Sequence, residues 1–291
     1  MTQKTSFYFH PHNIFGGLSN RSYEEAKFLV VGVPLDVSGT YRTGYRFAPM
    51  YIRQAAAQIE FKSLRYENEL SDRDIFDLGD IALGSNLESN LKDIENSMLE
   101  LRNEKKIVAI IGGEHTITYS TFMGLKAERI IIFDAHFDLR NEYAGMRFSH
   151  ATWLRRLLEN IDTEDVLIVG ARATSFDETS SNPPKVLHVN PLQLRSEEIN
   201  FIKDWFKKDK KYYISVDMDC FDPAYAPGVG NPEPEGISPT TFFDFLLRYV
   251  SQLDIVGFDV NEVVPQYDLS GITSVLAAKV ILEIINMILS K

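Results

Sequence analysis

Cysteine is almost missing from this chain: Cys220 is the single one, so no intrachain disulfide can form. A lone thiol fits a reducing compartment. Long apolar stretches are scarce as well. The longest strongly apolar runs are about eight residues, such as 28–35, against the ~18–20 that span a bilayer. Met1–His10 has no basic segment followed by an apolar one, so no signal peptide is expected. A soluble, cytoplasmic protein is the resulting expectation. Positive charge is also in deficit, with 30 basic against 41 acidic residues and a net charge of −11. Phosphate binding needs basic patches, so nucleic acid and anionic membrane are excluded as partners. An acidic chain suits a cationic small molecule. Neither Gly-x-Gly-x-x-Gly nor Gly-x-x-x-x-Gly-Lys-Ser/Thr occurs, which excludes the common phosphate loops. Repeats, low-complexity stretches and linker composition are absent, and residues 1–291 read as one domain.

What is present is a recurrence of short apolar, β-branched runs. Strands are predicted near Lys27–Val33, Ile75–Leu78, Ile107–Ile111, Ile130–Phe133, Val166–Val169, Val186–Val189, Tyr212–Val216 and Asp254–Phe258. Their apolar positions are mostly consecutive, as in strands buried on both faces. Helical spacing fills the intervals at Pro49–Phe61, Leu87–Arg102, Ile117–Leu125, Thr152–Asn160, Ser196–Phe206, Pro239–Val250 and Ser270–Leu289. Ser238-Pro239 reads as an N-cap followed by Pro at the first helical position. The alternation predicts a doubly wound, parallel α/β sheet. The Pro-rich pieces at 182–184 and 231–234 are expected in surface or active-site loops.

Three strand ends carry acids and imidazoles: Gly112-Gly113-Glu114-His115, Asp134-Ala135-His136-Phe137-Asp138 and Asp217-Met218-Asp219. Ligands bind beyond the carboxyl ends of strands in open parallel sheets. A lone Asp-X-Asp there is more often a turn or a cap, and a lone Gly-Gly-X-His is weaker still. The coincidence of three such ends points to a metal site. His115, Asp134, His136, Asp138, Asp217 and Asp219 are too many ligands for one tetrahedral zinc. They suit two divalent ions about 3.5–4 Å apart with shared carboxylates. An oxygen-rich set with one imidazole per ion leans towards Mn²⁺.

These segments resemble the signature blocks of the ureohydrolase family, which includes arginases and agmatinases. The resemblance continues through 215–228, through Asp259-Val260-Asn261-Glu262-Val263-Val264-Pro265, and near the start through Gly32-Val33-Pro34 and 41–49. It implies the arginase-like three-layer α/β/α fold with a mostly parallel eight-stranded sheet. It also implies two Mn²⁺ per chain, release of urea from a guanidino compound, and a homo-oligomer, trimer or hexamer. By the same resemblance, His115, Asp134, Asp138 and Asp217 hold one ion, and Asp134, His136, Asp217 and Asp219 the other. His150 is implied as the proton-transfer group and Glu262 as the guanidinium acceptor, with a hydroxide between the ions attacking the guanidino carbon. Glu114 and Thr116 stand where many relatives have Asp and Ser, and Glu235 where a Gly is common. Outside the family, His150 would read as a surface residue at a helix start and Glu262 as a solvated acid. Cys220 reads as a small buried residue, His188 as a core histidine, and His10 and His12 as loop residues.

Two other classes compete. A single-zinc deacetylase would not need His115 and Asp138, and a non-catalytic scaffold would have lost a ligand, His150 or Glu262. Within the family, the loop 138–150 resembles the agmatinase branch and lacks the small polar residues by which arginases hold the amino-acid end of arginine. N-Aminopropylagmatine and guanidino acids stay open as substrates. Arg140 and Arg147 are the residues that could rebuild a carboxylate anchor.

Overall fold

Short runs of β-branched residues, apolar on both faces, favour strands that are covered on both sides. The computed structural model, which describes residues 9–10, 14–20, 22–102, 106–179, 184–196 and 198–291, has that arrangement. In chain order its strands are β1 (Phe9–His10), β2 (Phe28–Val33), β3 (Lys62–Ser63), β4 (Asn68–Glu69), β5 (Ile75–Ile81), β6 (Ile107–Gly112), β7 (Arg129–Phe133), β8 (Val166–Val169), β9 (Leu187–Val189), β10 (Lys211–Asp217) and β11 (Asp254–Asn261). A nine-stranded sheet runs β1-β5-β2-β6-β11-β10-β7-β8-β9, with β3 and β4 forming a separate hairpin. Every pairing in the large sheet is parallel except that of β1 with β5. The parallel strands are the predicted ones.

Helices cover both faces: α1 (Ala48–Ala56), α2 (Leu87–Arg102), α3 (Ile117–Leu125), α4 (Trp153–Leu157), α5 (Phe176–Thr179), α6 (Pro191–Ser196), α7 (Pro239–Phe245) and α8 (Ile272–Leu289). One apolar core joins α1, α7 and α8 to one face of the sheet. The other joins α2, α3 and α4 to the opposite face. Strand β2 divides its side chains between them, Phe28 and Val30 into the first and Leu29, Val31 and Val33 into the second. The result is the expected three-layer α/β/α architecture.

Several expectations need correction. The segment 196–206 is not one helix: α6 starts earlier, at Pro191, and a 3₁₀ segment follows at Asn200–Trp205. Asn190 caps α6, its Oδ1 accepting from Gln193 N at 2.9 Å, and Pro191 occupies the first turn. Helix α7 keeps its expected start, with Ser238 Oγ accepting from Thr241 N at 3.1 Å, but passes into a π turn over Leu246–Val250. Helix α8 forms where a helix was expected, at Ser270–Leu289, but its 18 residues average a hydropathy of 2.0 with 67% of the segment buried, more apolar as a whole than the short runs suggest. It is long and apolar enough to cross a membrane by length and composition, yet here it packs into the core beside α1. His188 is exposed rather than in the core, because β9 is the sheet's edge strand. His10 lies in β1, not in a loop. His12 and the pair Asn182-Pro183 lie outside the described residues.

Candidate metal centre and catalytic site

Register determines where the chemistry gathers. The four central strands β6, β11, β10 and β7 end nearly level: Ile111 pairs with Val260, Asn261 with Asp217, and Val216 with Phe133. The residues that follow each end therefore share one edge of the sheet. Backbone approaches closely there, which explains Gly112-Gly113. A Cβ on Gly113 would sit 2.1 Å from the Leu35 carbonyl oxygen, and one on Gly112 would sit 1.7 Å from Asn261 Oδ1. No phosphate loop is needed to account for the pair.

Asp134, Asp217 and Asp219 each use one oxygen to order the backbone of the site. Asp134 Oδ1 accepts from His136 N at 2.7 Å, Asp217 Oδ1 from Asp219 N at 2.8 Å, and Asp219 Oδ1 from Ala135 N at 3.1 Å. Around His115 Nδ1 lie Asp134 Oδ2 at 3.1 Å, Asp217 Oδ2 at 3.2 Å and Asp138 Oδ2 at 3.5 Å. Asp219 Oδ2 is 2.9 Å from His136 Nδ1, and Asp134 Oδ1 is 3.6 Å from it. Two groups emerge with metal-ligand spacing, His115–Asp134–Asp217 and Asp134–His136–Asp219, and Asp134 belongs to both. Asp138 stands beside the first group, its Oδ2 held at 2.7 Å by the Trp153 indole N–H.

The state of His115 is set from behind. Ser215 Oγ donates to Asp259 Oδ1 at 2.6 Å and lies 2.8 Å from His115 Nε2. A hydroxyl has one proton, and an anionic carboxylate is the stronger acceptor. Ser215 therefore accepts from His115 Nε2–H, which leaves Nδ1 as the atom that meets the three carboxylates. Among the described residues, no neighbour of that buried Nδ1 completes a hydrogen bond with it. A ring nitrogen facing three carboxylates needs a cation between them, a proton or a metal ion. The donor set thus fits a divalent metal ion, with the imidazole oriented by a carboxylate-bonded partner.

Electrostatics carry the same imprint. Burial pushes the His115 imidazole down, but Asp134 and Asp217 outweigh it and hold its pKa well above the usual range. His136 is likewise raised: burial lowers it, while Asp219 and Asp134 prevail. Burial and neighbouring carboxylates push Asp138 and Asp217 up together. Crowded anions here recruit protons to relieve their repulsion, and a divalent cation relieves it equally.

Glu262 and His150 flank the cluster in a cavity of ≈ 270 Å³ that also exposes His115, His136, Asp217 and Asp219. Glu262 sits in the left-handed region, with φ at 68°, and its Oε1 accepts from His115 N at 2.6 Å. Burial pushes its carboxyl up to about 8, partly countered by that backbone N–H. His150 is buried rather than on the surface. Burial, and then the charge on His136 and His115, lowers it to about 4, so the ring is neutral near pH 7. Its Nδ1 turns inward to Ser38 Oγ at 3.1 Å. Cys220 is fully buried, and burial raises its thiol pKa well above the ordinary value, as befits an inert thiol.

Other residues of this region gave no sequence signal. Ser38, Ser215 and Trp153 orient the histidines and Asp138 from distant segments. Arg172 donates to six backbone carbonyls, among them those of Asp219 at 2.8 Å and Glu233 at 2.7 Å, and so ties the 231–234 loop to the end of β10. At the rim stand Arg140, Tyr143, Glu178 and Glu233. Arg140 stacks its guanidinium on Tyr143, 4.8 Å from the ring centre. Arg147 instead pairs with Glu159 at 2.6 Å on the surface and does not line the cavity.

Comparison with known proteins agrees with this site. The chain is 33% identical to an agmatinase of Bacillus cereus over 92% of its own length and 93% of the relative's. It is 31% identical to an N(1)-aminopropylagmatine ureohydrolase of Thermococcus kodakarensis, covering 89% of each chain. The crystal structure of the agmatine ureohydrolase of Thermoplasma volcanium superposes with a TM-score of 0.85 at 34% identity, over 93% of this chain and 92% of that one. A family profile described as the arginase family matches residues 26–286, and the chain belongs to that family of ureohydrolases.

Proposed function

We propose that this protein hydrolyses the guanidino group of agmatine, or of a longer cationic agmatine derivative, to urea and an amine. In this reading His115, Asp134, Asp138 and Asp217 hold one Mn²⁺, and Asp134, His136, Asp217 and Asp219 hold a second, within one ureohydrolase domain over 1–291. The observation that carries it is the Nδ1 of His115 ringed by three carboxylates beside Glu262 and His150. The ions, when bound, lower the pKa of water to near neutrality and so supply the nucleophile. Glu262 accepts the guanidinium N–H bonds and orients its carbon. His150 moves a proton to the leaving nitrogen. The acidic cavity attracts a cation and keeps out anions. The same reading makes the protein a cytoplasmic homo-oligomer.

A substrate panel with urea detection under Mn²⁺ tests it. Arginine carries an α-carboxylate, and burying that charge unpaired costs more than the ~1–3 kcal/mol of an unsatisfied neutral group. Each ~1.4 kcal/mol is tenfold in rate, so kcat/KM for agmatine-type substrates should exceed that for arginine many-fold. The second reading, an arginase with a rebuilt anchor, draws on Arg140 at the rim. Arginine matching every agmatine-type substrate would establish it instead.

A further inference from the structure

We propose that Glu114, acting through Ser38, fixes the tautomer of His150, holding its proton on Nδ1 and presenting a bare Nε2 to the cavity. The Glu114 carboxylate is fully buried and accepts four hydrogen bonds. Oε2 takes Val37 N at 2.6 Å and Ser38 N at 2.7 Å; Oε1 takes Ser38 Oγ at 3.0 Å and Thr116 Oγ1 at 2.8 Å. Ser38 Oγ has two further neighbours, His150 N at 2.9 Å and His150 Nδ1 at 3.1 Å.

A hydroxyl offers one proton and two lone pairs. If the Ser38 proton pointed at His150 Nδ1, its oxygen would face Glu114 Oε1 with no hydrogen between two buried acceptors. Pointing the proton at Glu114 removes that conflict and uses the stronger, charged acceptor. The two lone pairs of Ser38 then receive His150 N–H and His150 Nδ1–H, and every position is filled once. His150 is left with its acceptor nitrogen towards the cavity it lines. It takes a proton there before it can give one to the leaving amine. Glu114 and Ser38 are positioning residues: Ser38 touches His150 and Glu114 touches Ser38, and neither meets the reacting atoms.

The kinetic consequence rests on the function proposed above, but the tautomer itself does not. Glu114→Gln is the discriminating variant. A glutamine can keep both backbone bonds at its oxygen while its NH₂ donates to Ser38 Oγ and Thr116 Oγ1. The Ser38 proton is then driven to His150 Nδ1, and the imidazole proton moves to Nε2. In ¹⁵N NMR of chelator-treated protein, with the His150 signal identified by its loss in His150→Gln, wild type should show protonated Nδ1. Glu114→Gln should show protonated Nε2, and Ser38→Ala a mixture. With Mn²⁺ restored, kcat for Glu114→Gln should fall roughly 10–100-fold with KM within about twofold, inside the range that general acid–base groups supply. Nε2–H in wild type, or an unchanged Nδ1–H in both variants, overturns the proposal. Should Glu114→Gln fail to fold, Ser38→Ala decides by the same spectrum. If no guanidino compound releases urea, the functional reading fails while the NMR result still stands for or against the relay.

Discussion

The strand ends and the loops around them build the same cavity by different means. At the strand ends, the His115 side chain is 1% exposed and Asp217 5%. At the rim, Glu233 is 40% exposed. The first group is aligned by sheet register and tied by backbone N–H bonds. The second is carried on the segments 138–150, 172–178 and 231–235. The contrast teaches a division of labour: sheet register sets which chemistry is possible, and loops set which molecule receives it.

Removing a strand-end ligand should therefore have the largest effect. Asp134→Ala or Asp217→Ala should abolish urea release and lower metal content, since each carboxylate is proposed to touch both ions. Elemental analysis of manganese-reconstituted wild type should find close to two equivalents. Full activity at one equivalent would break the comparison at its root.

His150 belongs to the loop side, and its loss should be graded. His150→Ala should slow kcat roughly 10²–10⁴-fold with metal content unchanged. If metal leaves as well, the two regions are not separable. The same residue should be visible in acid stability. Its pKa falls from the unfolded value near 6.5 to about 4 in the fold. Below pH ~6.5 the unfolded chain takes up a proton that the fold refuses until pH ~4, so stability declines across that window by up to about 3 kcal/mol. In chelator-treated protein, His150→Gln should flatten the decline between pH 6.5 and 4 in denaturant titrations; parallel curves would remove the buried neutral imidazole from the account.

The smallest effect belongs to Glu235, exposed and at φ 60°. The left-handed strain and the chain-entropy cost of glycine nearly offset each other, leaving Glu235→Gly more stable by roughly 0.5 kcal/mol. Its kcat should not change. A drop in kcat would mean that this loop residue does more than close a turn.

The same division governs what could be read from the sequence. Strands β2, β6, β7, β8, β10 and β11 were legible because residues buried on both faces leave an unbroken apolar run. The acids after them stood out for the same reason, as polar groups at abrupt ends. Helix α6 was misplaced although Asn190-Pro191 carried a start signal; the apolar spacing of 196–206 belongs to a 3₁₀ segment. Ser38 was invisible in principle. It lies 76 residues from Glu114 and 112 from His150, and a serine after a strand has many commoner uses. The rim escaped for a similar reason, because Arg140 and Arg147 read alike until one is seen on Tyr143 and the other on Glu159.

Asp138 and Glu262 both sit at positive φ, 51° and 68°, without being glycine. Each such position costs about 1–2 kcal/mol relative to right-handed backbone. Glycine or asparagine would relax both, and neither could reproduce the carboxylate that the proposed function requires at 262. Durability and turnover are thus opposed at two identifiable residues. A laboratory selection that rewarded only heat resistance would drift towards glycine at 138 and 262, and would deliver a hardier protein with nothing left to catalyse.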